Sequence, residues 1–434
     1  MTDNRANSPR QTRVLFLAWG FSIHAKRRIQ LFVDAQDFAV AVVSTCNYNF
    51  ANAQNILLTG AHGKKEIGDS FAPQNEGKVI KRRTHITRTS LGKLVNKIKT
   101  GLYGRTLLLP LIFCYEIYKG VKDFKILKSS VMEFNPDVVF LQTLLYPCYL
   151  TYFLPRSFPI IITFWNGDVV WWAKRNGIER LLKKQIVTYG VRRAQAITVN
   201  SQMAFNACLG YGIQAEKIHL IRYPGVDLER FKPFAKNEAR KKLGITYTYK
   251  KVVLCPRGLG GFLNSDVIVE SAANVVKKYP ETLFLFISGV GGEKELKKHQ
   301  QKVRELGMEK NFRWEGQVPW DMMTMYYSSS DVMVSISSND SLPNCMLEAM
   351  VCGLPVIMGD IPQIREWVTD GVNGFLVPPR ESVALSCKIL RVFENTDGLI
   401  DSFIRKNRGL VIREFDSVKN IERVKGLVRT ITKK

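Results

Sequence analysis

Asp340 and Glu348, with seven residues between them, stand in the stretch "SNDSLPNCMLEAMVCGLPVIMGDIPQIREW", Ser338 to Trp367. Glu348 is the single charged side chain from Cys345 to Cys352; Cys345, Met346, Leu347, Ala349, Met350 and Val351 are apolar. An ionised carboxylate in such surroundings costs several kcal/mol unless it has a partner, and no basic residue of this segment supplies one. Pro343 suits the first turn of a helix and Gly353 its stop, so the segment reads as a helix over Pro343 to Cys352. Asn344 then lies one turn before Glu348 on the same face, with Asp340 in the loop at the helix entrance. Such a line of acceptors suits the hydroxyls of a sugar or a ribose. The structural alternative is a core glutamate bound to backbone or to an arginine from elsewhere.

Two other loops have residue types suited to an anion. In "AWGFSIHAKRR", Gly20 follows an apolar run and permits close backbone approach, with His24, Lys26, Arg27 and Arg28 just beyond. In "CPRGLGGFLNSD", Gly258, Gly260 and Gly261 surround a path by which Arg257 reaches a negative charge. Where strands end and helices begin, unpaired N–H groups and the positive end of the helix dipole favour phosphate. The chain has neither GxGxxG nor GxxxxGK[ST], and glycines after strands also serve plain tight turns. Together, one loop from each half of the chain suits a diphosphate.

The elements that must position these residues alternate. Strands are expected at Val14–Ala18, Ala39–Ser44, Asp137–Leu141, Pro159–Phe164 and Ala196–Val199, with helices at Ile23–Ala35 and Glu179–Arg193. The order continues with strands at Val252–Cys255, Leu283–Ser288, Val332–Ile336, Pro355–Met358 and Gly374–Val377. Helices there are expected at Lys236–Leu243, Ser265–Lys278, Glu293–Leu306, Met322–Ser328 and Glu381–Glu394. Continuously apolar strands with helical crossovers make a parallel sheet covered on both faces. The 434 residues, 46% hydrophobic and 23% charged, suit two such α/β, doubly wound domains. The boundary is expected in the turn-rich "YPGVDLERFKP", giving domains over 1–225 and 226–410. A C-terminal helix over 411–434 is expected to pack back on the first domain.

A formal charge of +25 points to an anionic partner: nucleic acid, an anionic membrane surface or a phosphorylated substrate. Lys78 to Arg105 carries nine Lys or Arg and no Asp or Glu, with Leu91, Leu94, Val95, Ile98 and Leu102 on one helical face. Such a segment can lie in a membrane interface, and the apolar "LLLPLIF" behind it favours that over a solvated helix packed on its own domain. Met1 to Arg13 is polar and the apolar run behind it short, so no secretory signal is read and a cytoplasmic location is expected. Val138 to Pro155 contains Gln142 and Pro147 and reads as a strand and a buried helix rather than a membrane span. The eight cysteines form no CxxC pair and have no histidine at metal spacing, so buried free thiols in a reducing compartment are expected and no metal site.

"DSLPNCMLEAMVCGLPVI" resembles the signature of the retaining glycosyltransferases of family 4, the E-x7-E motif followed by a small-residue helix and a strand. The similarity extends to "DGVNGFLVPP", "IREW", "GVDLERFKP" and "RVLFLA", hence over nearly the whole chain. It implies the GT-B fold: two Rossmann-like domains facing across a cleft, acceptor mainly on the first and nucleotide sugar mainly on the second. By resemblance, Glu348 holds the ribose hydroxyls and Asp340 those of the transferred sugar. Leu342, Pro343 and Asn344 at the helix N-terminus hold the distal phosphate, Arg257, Gly258 and Gly20 the diphosphate, and Val318 of "GQVP" lies near the base. The implied catalytic set is Arg257, Asp340 and Glu348; the acceptor side is His24, Arg27 and Asp168. No metal and no cofactor besides the nucleoside-diphosphate sugar is implied. Retention would follow front-face displacement, the leaving phosphate assisting deprotonation of the acceptor while Arg257 and the helix dipole stabilise the departing charge.

The chain departs from the family pattern at three points. Asp340 stands where Glu is usual; Phe262, Leu263 and Asn264 occupy the region of a usual Lys; Trp165 stands where a His is usual, with Asp168 as its substitute or as a turn former. The expected function is transfer of a hexosyl unit to a lipid-linked or polysaccharide acceptor at the cytoplasmic membrane face, as in lipopolysaccharide and other surface polysaccharide assembly. A catalytically inactive scaffold of the same fold is the alternative. A nucleic-acid-binding protein ranks below both, because the basic segment lacks interleaved stacking aromatics and no nucleic-acid-binding module is recognised.

Overall fold

Short runs rich in Val, Ile, Leu and Phe form strands whose two faces are both covered, and the amphipathic segments between them form the covering helices. The computed structural model describes residues 10–18, 23–58, 109–143, 148–164, 178–287, 292–340 and 342–433. The basic segment Lys78–Arg105 lies outside them. Two compact units result: Met1–Ile221 together with Ile421–Lys434, and Arg222–Asn420. Each is a parallel-sheet, Rossmann-like α/β domain.

In the first unit the strands are β1 Thr12–Ala18, β2 Phe38–Ser44, β3 Ala53–Leu57, β4 Val138–Leu141, β5 Ile160–Thr163, β6 Ala196–Val199 and β7 Ile218–Leu220. They lie in the order β3-β2-β1-β4-β5-β6-β7, every pairing parallel. Val14 to Ala18 and Val138 to Leu141 are fully buried, which their uninterrupted apolar character requires. The connecting helices are α1 Ile23–Val33, α2 Leu109–Phe134, α3 Ile178–Arg193 and α4 Gln202–Gly210. Helix α2 begins inside "LLLPLIF", with Pro110 in its first turn, so that run opens a 26-residue helix. After β4, the helix expected there is a short 3-10 helix at Cys148–Phe153. No helix among the described residues is long and apolar enough to cross a membrane.

The second unit contains β8 Lys251–Cys255, β9 Thr282–Ile287, β10 Phe312–Glu315, β11 Val332–Ser335, β12 Val356–Gly359 and β13 Phe375–Val377, in the order β10-β9-β8-β11-β12-β13 and all parallel. Its helices are α5 Lys236–Lys242, α6 Ser265–Lys278, α7 Glu293–Glu305, α8 Met323–Ser329, α9 Asn344–Val351, the single turn α10 Pro362–Arg365, α11 Ser382–Glu394 and α12 Leu399–Glu414. Strands β8 and β11 are neighbours, Val253 beside Val332 and Leu254 beside Met333. The winding reverses between them. Loops leaving the carboxyl ends of two such strands diverge and open a crevice where α/β sheets bind ligands.

Where one C-terminal helix was expected over 411–434, two occur: α12 and α13 Ser417–Thr432. The break has a packing cause. Phe415 is fully buried, and Asp416 accepts hydrogen bonds from the backbone N–H of Val418 at 2.9 Å and of Lys419 at 3.3 Å, starting a new helix. The linker closes on this break: the Val226 N–H donates to the Phe415 carbonyl at 2.7 Å, and the Ser417 N–H to the Val226 carbonyl at 3.0 Å. A Cβ on Gly225, whose φ is 78°, would run into the Phe415 carbonyl. These contacts assign "YPGVDLERFKP" to the second unit, and the division falls after Ile221. From Ile421 onward α13 belongs to the first unit, where Arg429 pairs with Asp37. The described cysteines 46, 208, 255, 345, 352 and 387 are free; Cys387 is exposed, against the expected burial, because it lies on the outer face of α11. Among the described residues no cluster of His, Cys, Asp and Glu suits a metal ion.

Candidate functional site

At the carboxyl end of the second sheet, β8 delivers Arg257 and β11 leads to Asp340. Because these strands are neighbours, the two side chains meet: Arg257 Nη1 and Asp340 Oδ2 form an ion pair, with the Asp340 side chain 11% exposed. The carboxylate and guanidinium predicted to hold sugar and diphosphate are therefore each other's partners. Gly258 is buried directly behind Arg257. On the far side of β11, Gly359 closes β12 against the same loop, where a Cβ would stand 2.5 Å from the Ser337 carbonyl.

Helix α9 starts after Pro343, its N-cap, and ends before Gly353, which adopts the left-handed φ of 82° that a helix stop needs. Glu348 is 6% exposed, as its apolar neighbours required. Its Oε1 accepts from Trp320 Nε1 at 3.2 Å and its Oε2 from the Tyr327 hydroxyl at 2.9 Å. Both donors are neutral. Each carboxyl oxygen thus accepts from an aromatic side chain. Burial first, and then the charge of Glu348, pushes the Tyr327 phenol well above its ordinary pKa, so Tyr327 stays a donor. Trp320 packs on Phe231 with ring centroids 5.4 Å apart, and the Arg230 guanidinium lies 4.3 Å from its ring centroid. Val318 and Leu342 pack at the margin of the core cluster that contains Tyr327. Pro343 is buried and Asn344, the first residue of α9, half-buried.

The second unit thus holds Arg257 and Gly258 after β8, Asp340, Leu342, Pro343, Asn344 and Glu348 in the loop and helix after β11, and Val318 in the loop after β10. Of the residues expected from the first unit, Gly20 and Asp168 lie outside the described residues, as does Trp165. His24 belongs to α1, but its side chain is likewise outside them. Arg27 is half-buried on α1, and Arg28 beside it is 1% exposed. Burial pulls the neighbouring Lys26 ammonium below its ordinary pKa. Sequence reasoning missed Trp320 and Tyr327, the partners Glu348 was required to have. The available signal was two aromatic side chains with polar tips, one in the apolar helix α8 and one just before it.

Residues 251–395 match the family described as glycosyl transferases group 1, and residues 99–230 that described as glycosyltransferase family 4. Among curated proteins, the chain is 30% identical over 206 residues to a D-inositol 3-phosphate glycosyltransferase of Kribbella flavida, covering 46% of this chain and 47% of that one. A protein of the same name from Geodermatophilus obscurus is 29% identical over 197 residues, covering 44% of this chain and 43% of that one. The chain thus spans about half the length of the curated relatives it matches. A solved structure of Anabaena Alr3699/HepE in complex with UDP superposes with a TM-score of 0.66 at 17% identity, covering 96% of this chain and all of that one. Sucrose-phosphate synthase from Thermosynechococcus elongatus gives 0.66 at 16% identity, covering 97% and 99%. At these identities the solved structures speak for the fold, which is GT-B, and the family matches for a glycosyltransferase.

Proposed function

We propose that this chain transfers a hexosyl unit from a nucleoside-diphosphate sugar, with the anomeric configuration retained and without a metal ion, to a lipid-linked or polysaccharide acceptor at the inner face of the cytoplasmic membrane. The observation that carries the donor half of this reading is the pairing of Arg257 with Asp340 next to Glu348, a buried carboxylate held by neutral donors. Glu348 takes the ribose hydroxyls and Asp340 hydroxyls of the sugar. Arg257, Gly258 and the start of α9 take the diphosphate. Val318 lies near the base. As the glycosidic bond to the leaving phosphate breaks, negative charge grows on the diphosphate, and Arg257 and the α9 N-terminus stabilise it.

The acceptor half rests on the basic composition, with His24, Arg27 and Asp168 on its side and an anionic membrane as partner. The curated relatives act on inositol phosphate by their names, which favours a phosphate-bearing acceptor. UDP in the Anabaena neighbour favours a uridine donor. The test is a thermal-shift screen with UDP-, GDP- and ADP-sugars. A ligand at one hundred times its Kd adds about 2.7 kcal/mol of stability, so one nucleotide series raises the melting temperature; no response to any of them rejects the reading.

A further inference from the structure

The glycine loop after β8 and the loop after β11 are tied together by one side chain, Asn264. It is 2% exposed and adopts the left-handed conformation, φ 51° and ψ 40°. Its Nδ2 donates to the Ile336 carbonyl at 2.8 Å and to Ser338 Oγ at 2.7 Å, so both amide hydrogens reach the loop that leads to Asp340. Its Oδ1 accepts from Arg380 Nη1 at 3.3 Å. The backbone answers in the other direction: the Ser338 N–H donates to the Phe262 carbonyl at 2.8 Å.

The same glycine loop is also fastened from behind. The Gly260 N–H donates to Ser265 Oγ at 2.7 Å, and Ser265 Oγ lies 2.9 Å from His299 Nε2. His299 Nδ1 faces the Glu295 carbonyl at 2.6 Å. A carbonyl only accepts, so Nδ1 carries the hydrogen, while Nε2 and the Ser265 hydroxyl share the second bond. The loop carrying Arg257 is thus fastened where it closes into α6: Ser265 ties it to its own Gly260, and Asn264 ties it to the loop after β11.

Two requirements meet at position 264. The backbone needs left-handed geometry, which glycine and asparagine adopt most readily. The neighbouring loop needs two donors, which glycine lacks and aspartate would replace with acceptors facing a carbonyl. Asparagine satisfies both. We propose that Asn264 is a positioning residue of the donor site: by clasping the two loops it sets the spacing of Arg257 and Asp340, and with it the grip on the diphosphate and sugar. This rests on the reading of the site as a nucleotide-sugar site.

The test is Asn264→Gly, which keeps the left-handed backbone and removes only the amide. The readouts are the dissociation constant for UDP, GDP or ADP, whichever stabilises the unmodified protein, and hydrogen exchange of the segment containing Ser338. The variant is expected to exchange faster there and to bind the nucleotide at least about tenfold more weakly. For the sugar donor, KM should rise more than kcat falls. Adding Ser338→Ala to Asn264→Gly should cost little more, since both remove one link. Unchanged affinity, or unchanged exchange at Ser338, overturns the proposal. If the unmodified protein binds none of the three nucleotides, the reading of the site falls instead, and exchange alone decides whether Asn264 clasps the loops. Should Asn264→Gly not fold, Ser338→Ala takes its place with the same two readouts and the same expected directions.

Discussion

The hydroxyl of Tyr327 ends 2.9 Å from Oε2 of Glu348, in a pocket where the tyrosine is 1% exposed. A phenol steadies a carboxylate without cancelling its charge, as an arginine would. The bond fixes the orientation of the Glu348 carboxyl group. The low exposure of both groups makes each dependent on the other.

Tyr327→Phe should destabilise the protein by about 1–3 kcal/mol, because Oε2 is then buried without this donor. Urea unfolding measures it. Nucleotide affinity should fall in parallel, since the carboxylate loses one of the donors that orient it. A variant of unchanged stability would mean that this hydrogen bond contributes nothing.

Glu348→Gln keeps the size of the side chain and removes its charge, but an amide presents one acceptor oxygen where the carboxylate presented two. Trp320 Nε1 and the Tyr327 hydroxyl cannot both donate to it as before. Nucleotide binding should weaken about 10- to 100-fold, corresponding to about 1.4–2.8 kcal/mol of charged hydrogen bonding. Titration calorimetry with the stabilising nucleotide reads this directly, and unchanged affinity would remove Glu348 from the site.

Asp340→Asn takes the charged partner from Arg257, whose side chain is 25% exposed. The loss should be about 1–3 kcal/mol, the cost of a largely buried cation without its counter-charge. Pyrophosphate should then raise the melting temperature of the variant more than that of the unmodified protein, by supplying the missing anion. An equal response in both would place the anion site elsewhere.

Alkaline pH should destabilise the protein through its buried thiols. Burial pushes both Cys208 and Cys352 from 9.0 up to about 12. Above pH 9 the unfolded chain releases these protons while the folded chain keeps them. Their contribution is therefore fully present below pH 9 and is lost as pH rises towards 12. Each thiol adds a downward slope of at most about 1.4 kcal/mol per pH unit. Unfolding midpoints between pH 8 and 10.5 should fall accordingly, and Cys352→Ala should flatten the fall; an unaltered slope in that variant would show that its thiol titrates alike in both states.

Much of the architecture was readable because buried parallel strands are written as unbroken apolar runs and the helices between them as amphipathic periods. Edge strands are written differently. β3, β7 and β10 were missed because "AQNIL", "IHL" and "FRWE" mix polar residues into short runs at or near the sheet margins. Helix α12 was missed because "LIDSFIRKNRGLVIRE" is broken by Gly409 and follows a turn-rich stretch. At the site, Glu348 was legible from the cost of burying a charge, and Asp340 from its spacing. The Arg257–Asp340 pair was not, since its members lie 83 positions apart and meet only because β8 and β11 are neighbours. Asn264 was legible only as one of three residues in the region of a usual lysine, because its two bonds depend on a loop from another strand.

The first unit is discontinuous: its last residues come from Ile421–Lys434, where Val424 and Val428 are fully buried. During synthesis from the amino terminus, roughly the first half of the chain emerges long before the residues that finish its hydrophobic interior. Until α13 is released, that half presents an incomplete surface to chaperones and proteases. A stop codon anywhere before Ile421 would therefore damage the domain made first.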